Sequence, residues 1–166
     1  LYGQFNLPNI MAALTIGDYF DVPLQQMKTA ISSYQATNNR SQQLKWEGVL
    51  VYLDAYNANP SSMKEFCNYI SDFKTNEKII ILGAMEELGK DSDKEHRALI
   101  KQVSEIKYLN LFLVGDQFKN LDVKIPCHFC ESFQEVRDSL TPALTPNSAI
   151  FVKGSRKYTL EKIFDL

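Results

Sequence analysis

Four apolar runs punctuate the chain from residue 50 onward: Leu50-Val51-Tyr52-Leu53, Ile79-Ile80-Ile81-Leu82, Leu111-Phe112-Leu113-Val114 and Ala149-Ile150-Phe151-Val152. Each is continuous rather than alternating, the pattern of a strand buried on both faces of a parallel sheet. Between them, apolar residues recur at helical spacing. Met63, Phe66, Cys67 and Ile70 form one stripe, His96, Leu99, Ile100 and Val103 a second, and Phe133, Val136 and Leu140 a third. Ser92 with Glu95, and Ser132 with Glu135, have the spacing of capping boxes and predict two helix starts. Strands alternating with helices predict βαβ units and a doubly wound α/β domain. Leu44-Lys45-Trp46-Glu47 and Gly48 read as a leading strand or hairpin.

The first forty residues follow another rule. Pro8 to Phe20 reads as a helix, with Asn6 suited to its N-cap and Pro8 to its first turn. Leu24 to Tyr34 reads as a second, with Leu24, Met27, Ile31 and Tyr34 on one face. A polar stretch from Ala36 to Gln43 then predicts a linker, with a domain boundary near residues 35–41. The opening Leu1-Tyr2-Gly3, with no initiating Met, reads as the interior of a longer protein.

Composition narrows the function classes. The 166 residues suffice for one domain with a core and a piece of a second. A net charge of −2 carries no signature of a nucleic-acid or membrane-surface binder. No apolar run approaches the roughly 20 residues of a membrane span, and no signal-type segment opens the chain. Cys127 and Cys130 stand in a lone C-H-F-C without the second pair that a zinc site wants; they read as reduced thiols.

In an open parallel sheet, ligands bind beyond the carboxyl ends of the strands. Those ends carry Asp54 leading to Tyr56, Asn57 and Asn59; Gly83-Ala84-Met85-Glu86-Glu87; Gly115-Asp116; and Lys153-Gly154-Ser155-Arg156. Acid, amides, cations and a hydroxyl on one edge can hold a ribose, phosphates or a carboxylate. Each also has a plainer reading. Asn59 before Pro60 is a helix N-cap, Lys153 a solvated charge, Tyr56 a packing residue under its loop, and His96 a satisfied histidine on an apolar face. Gly83 to Asp91 imitates a phosphate-binding P-loop, but five residues separate its glycines and Asp91 replaces the Ser or Thr after Lys90. There is no G-x-G-x-x-G.

Five motifs in register complete the reading. G-Q-F-N-L-P-N-I-M-A-A (Gly3 to Ala13), Arg40, D-A-Y-N-A-N-P-S-S-M (Asp54 to Met63), L-G-A-M-E-E-L-G (Leu82 to Gly89) with Ser92 and His96, and V-K-G-S-R (Val152 to Arg156) resemble the Mur ligases of peptidoglycan synthesis. The Y-N-A-N-P and K-G-S-R versions point to the branch that adds D-alanyl-D-alanine to a UDP-muramoyl-tripeptide.

The resemblance implies a Rossmann-like C-terminal domain over residues 37–166, preceded by the last helices of the central ATPase domain over residues 1–36. It implies a cytoplasmic bacterial enzyme, monomeric, using ATP and magnesium held mainly by a domain outside this segment. Its small-molecule substrates would be ATP, D-Ala-D-Ala and UDP-MurNAc-tripeptide, without nucleic acid. By position, Asn6, Asn9, Arg40 and Asp54 would serve the nucleotide. Asn57, Asn59, Lys153, Ser155 and Arg156 would face the dipeptide, with Tyr56 and His96 as further candidates. No residue here would be catalytic by itself, no protein metal site is implied, and the segment alone would be inactive. The chain departs from the family in carrying a single acid, Asp54, before the tyrosine motif, and Ala84 where Asp is frequent. A free-standing nucleotide- or protein-binding module, or a relative such as folylpolyglutamate synthase, are the rival readings.

Overall fold

The computed structural model describes residues 3–75 and 77–166. Two helices, α1 (Leu7–Tyr19) and α2 (Leu24–Ser33), precede an irregular stretch. Then come β1 (Gln42–Trp46), β2 (Val49–Asp54), α3 (Pro60–Asp72), β3 (Lys78–Gly83), α4 (Ser92–Ser104) and β4 (Asn110–Val114). The short α5 (Asp116–Lys119), β5 (His128–Cys130), α6 (Phe133–Leu140), β6 (Ala149–Lys153) and two 3-10 turns complete the chain.

The six strands form one sheet in the order β1-β2-β6-β3-β4-β5. Only β1 runs antiparallel; the other neighbours are parallel. The anticipated leading hairpin is therefore real. Trp46 pairs with Val49, leaving Glu47-Gly48 as a two-residue turn with both residues at positive φ (47° and 83°). That backbone follows the twist of the strands it joins, and glycine takes its second position without strain.

Continuous apolar runs are explained by helices on both faces. Tyr52, Ile80, Leu82, Leu111, Leu113 and Phe151 point to the layer of α3 and α4, where Met63, Phe66, Ile70, Leu99 and Val103 meet them. Val51, Leu53, Ile79, Ile81, Phe112, Ile150 and Val152 point to the other layer, built by Val136 and Leu140 of α6 and the terminal turn Leu160–Phe164. Tyr52 and Phe151, neighbours in register, stack at 5.0 Å and 7°.

Two cap expectations are corrected. The Ser92–Glu95 box does not form. A 3-10 turn, Gly89–Asp91, runs into α4, so Asp91 stands at the N-cap and Ser92 is already helical. Asn6 does stand at the N-cap of α1, but its side chain makes no capping bond and donates instead to Ser41 Oγ at 3.0 Å. Ser132 does cap α6, accepting from the Glu135 amide, while the Glu135 carboxylate accepts from the Glu131 amide.

α1 and α2 bury no residue in this chain, and Leu7, Met11, Ile16, Tyr19, Phe20 and Leu24 are all exposed. Among the described residues, no helix is long and apolar enough to cross a membrane.

Candidate functional site

β6 lies between β2 and β3, so the carboxyl ends of β2, β6, β3 and β4 stand side by side in that order. Asp54 is paired in register with Lys153, and Lys153 with Leu82. Beyond them the chains of Gly83 and Gly154 almost touch. A Cβ on Gly154 would lie 3.0 Å from Gly83 Cα and 2.8 Å from Leu160 Cδ1. Glycine is required there because no side chain fits between the two strand ends.

Lys153 is the surprise of this edge. It is only 2% exposed. Its ammonium donates to Asp54 Oδ2 at 2.6 Å and to the Asn57 carbonyl at 3.0 Å. A buried lysine needs such partners, since taking an unpaired charge out of water costs on the order of several kcal/mol. The lysine thus fixes the acid at the end of β2 and the loop after it.

The same loop carries Tyr56, which is exposed. The Arg40 guanidinium lies over its ring at 3.8 Å from the centroid, and that of Arg156 at 5.6 Å. Arg40 comes from the stretch before β1, Arg156 from the loop after β6. Arg40 is held between Asn39 and Ser41, both at positive φ (58° and 47°). The Asn39 carbonyl accepts from the Ala55 amide at 2.8 Å, and Ser41 accepts from Asn6. Asn9 Nδ2 in turn donates to Asn6 Oδ1 at 3.4 Å. A chain of contacts therefore runs from α1 through Ser41 to the turn that presents Arg40. A hydrogen bond from Arg40, its charge and that of Arg156 hold the Tyr56 phenol below its usual range.

The amides of the motif have local duties. Asn59 caps α3: its Oδ1 accepts from Ser62 N and Ser61 Oγ, both at 2.9 Å, while Ser62 Oγ accepts from Asn59 N, closing a capping box. Asn57 Oδ1 accepts from the Ala58 amide, and both asparagines are exposed. Ser155 caps the 3-10 turn Arg156–Tyr158.

His96 is fully buried, packed edge-on against Phe118. Its Nε2 accepts from the Met85 amide at 3.0 Å, so the ring proton sits on Nδ1, 2.8 Å from the Ser92 carbonyl. It ties the loop after β3 to the first turn of α4.

A second polar group went unanticipated. Glu86 Oε1 accepts from Tyr158 OH at 2.7 Å, from Gln117 Nε2 at 3.0 Å and from Lys157 Nζ at 3.0 Å. Tyr158 OH also lies 3.0 Å from Gln117 Oε1. Three loops, after β3, β4 and β6, are stapled through one carboxylate. Burial works to raise Glu86, but these bonds outweigh it and its carboxyl lies below the usual range. Burial and then Glu86 push the Tyr158 phenol well above its ordinary value. The available signal was position: Glu86, Gln117 and Tyr158 each follow a strand end closely.

The thiols lie apart. Burial pushes Cys67 up to about 12 and Cys130 up to about 11, as suits unreactive cysteines. No group of three His, Cys, Asp or Glu able to hold a metal occurs among the described residues. A surface groove of about 840 Å³ lies between the N-terminal segment and the far end of α3, and none of the candidate residues lines it.

Residues 39–156 match the family model described as "Mur ligase, glutamate ligase domain". The chain belongs to the Mur ligase family. The UDP-N-acetylmuramoyl-tripeptide–D-alanyl-D-alanine ligase of Borreliella burgdorferi is 29% identical over the whole of this chain and 37% of its own. The Mur ligase MurF of Thermotoga maritima, solved with ADP, superposes with a TM-score of 0.81 at 20% identity, covering 98% of this chain and 37% of that one. The folylpolyglutamate synthase of Mycobacterium tuberculosis, also with ADP, gives 0.66 at 12% identity, covering 100% of this chain and 41% of that one. These likenesses in structure establish the Mur-ligase fold. The chain spans little more than a third of the relatives it matches.

Proposed function

We propose that this chain is the C-terminal part of an ATP-dependent ligase that joins D-alanyl-D-alanine to UDP-MurNAc-tripeptide in peptidoglycan synthesis, in the bacterial cytoplasm. Residues 37–166 act as its Rossmann-like C-terminal domain, and residues 1–36 are the last helices of a central ATPase domain. The exposed apolar face of α1 and α2 supports that division, since such a face is normally covered. The relatives' names and the motif versions support the choice of D-alanyl-D-alanine.

The observation that carries the reading is the strand-end cluster of Asp54, Lys153, Tyr56, Arg40 and Arg156, with a buried ion pair at its base and two cations at its exposed rim. ATP would activate the tripeptide carboxylate as an acyl phosphate, which the dipeptide amine attacks as phosphate leaves. This chain supplies positioning and charge neutralisation for that sequence. Asp54, held by Lys153, keeps Oδ1 for ribose hydroxyls. Asn6 and Asn9 lie toward the adenine, and Arg40 toward the phosphates. Asn57, Asn59 and Ser155 face the dipeptide, Lys153 acting there through the loop carbonyl it holds. Magnesium and the phosphate loop come from outside these residues, and the enzyme works as a monomer.

The test is phosphate release by the full-length protein with ATP, UDP-MurNAc-tripeptide and one amino acceptor at a time. Turnover is expected with D-Ala-D-Ala and not with diaminopimelate or L-glutamate. Turnover with L-glutamate on a folate acceptor would favour the folylpolyglutamate synthase reading.

A further inference from the structure

We propose that Arg156 and Arg40 form one phosphate subsite, with Tyr56 as the positioning residue that holds both guanidiniums on a single ring. The proposal rests on the nucleotide reading above and reassigns Arg156 from the dipeptide side to the phosphate side.

Three observations lead there. First, the two arginines come from segments more than a hundred residues apart in sequence, yet both guanidinium carbons lie within 5.6 Å of the Tyr56 centroid. The ring's electron-rich π-system attracts each cation, and an anion bound between them would be met by both charges. Second, among the described residues neither arginine is paired with a carboxylate, whereas Lys153 and Lys157 are both paired, with Asp54 and Glu86. The unneutralised charge at this edge is therefore concentrated on the Tyr56 ring. Third, the edge is polarised. The two open cations meet at Tyr56 in the loop after β2, while Glu86, in the loop after β3, is already engaged by Tyr158, Gln117 and Lys157.

A carboxylate, with two oxygens, is satisfied by one guanidinium fork. A group of three anionic oxygens and higher charge uses two forks, which points to a phosphate rather than the dipeptide carboxylate.

The experiment measures calorimetric binding of β,γ-methylene ATP and of adenosine to the full-length protein, together with KM for D-Ala-D-Ala. Arg156→Ala should weaken the triphosphate about 10- to 100-fold, the loss of one charge-assisted contact, and leave adenosine affinity and dipeptide KM unchanged. Tyr56→Ala should weaken the triphosphate in the same way, and its effect should not add to that of Arg156→Ala. Tyr56→Phe, which keeps the ring face, should restore much of the affinity. An Arg156→Ala variant with unchanged triphosphate affinity and a raised dipeptide KM would overturn the proposal, as would full additivity of the Tyr56 and Arg156 effects. A protein that ligates no acceptor but loses triphosphate affinity with Arg156 would contradict the proposed reaction while supporting the subsite.

Discussion

Lys153 and Asp54, ninety-nine positions apart, meet at 2.6 Å where β6 and β2 end side by side. The pair has no isolated purpose in the sheet, because the same ammonium also holds the Asn57 carbonyl. It links the acid, the loop carrying Tyr56 and the strand carrying the K-G-S-R motif.

Removing one partner should cost more than removing both. Lys153→Met leaves Asp54 without its counter-charge and should destabilise the chain by about 3 kcal/mol, the scale for a broken buried pair. Lys153→Met combined with Asp54→Leu should recover part of that loss. Urea denaturation of the 166-residue chain measures both; a single variant no less stable than the double would contradict the assignment.

His96 should matter for the loop rather than for chemistry. His96→Ala leaves the Met85 amide unsatisfied in the interior and should cost about 1–3 kcal/mol. In amide hydrogen exchange, protection should fall first at Met85 and the start of α4. Undiminished protection there would show that another group holds the loop.

The Glu86 network predicts opposite pH arms. Glu86 sits below its ordinary 4.5 in the folded state, so its contribution is complete above that value and is lost as pH falls through the lower folded value. Tyr158 sits above its ordinary 10.0, so its contribution is complete below that value and is lost as pH rises past it. In a melting-temperature profile, Glu86→Gln should flatten the acid arm and Tyr158→Phe the alkaline arm. Unaltered arms would remove the network from the stability of the domain.

Gly154 should not tolerate a side chain. Gly154→Ala drives a methyl to within 2.8 Å of Leu160 Cδ1 and 3.0 Å of Gly83 Cα. About 1–3 kcal/mol of stability should be lost, as for an overpacked core, and the Arg156 turn should shift. A variant with wild-type melting behaviour would mean the strand ends separate freely.

Much of this was legible in the chain. The four apolar runs became β2, β3, β4 and β6 because strands covered on both faces leave a continuous signature. β5 left none: His128–Cys130 is three residues long at a sheet edge, with His128 and Phe129 exposed. Asp54 and Lys153 could be placed on one edge but not paired, because pairing depends on β6 inserting between β2 and β3, and strand order has no local signal. The same holds for Arg40 and Arg156 on one ring. Ser92 misled because the residues before it form a 3-10 turn that enters α4 directly.

We propose that this segment completes a nucleotide site begun elsewhere in a longer ligase, with the exposed Arg40 reaching toward the phosphates. The direct measurement is phosphate release by the full-length protein and its Arg40→Ala variant, with ATP, UDP-MurNAc-tripeptide and D-Ala-D-Ala all present. Release should need all three substrates and fall about 100-fold or more in the variant, the scale for losing one charge-stabilising donor, with melting temperature unchanged. Release that does not depend on the acceptor, or a variant within twofold of the parent, would contradict that proposal.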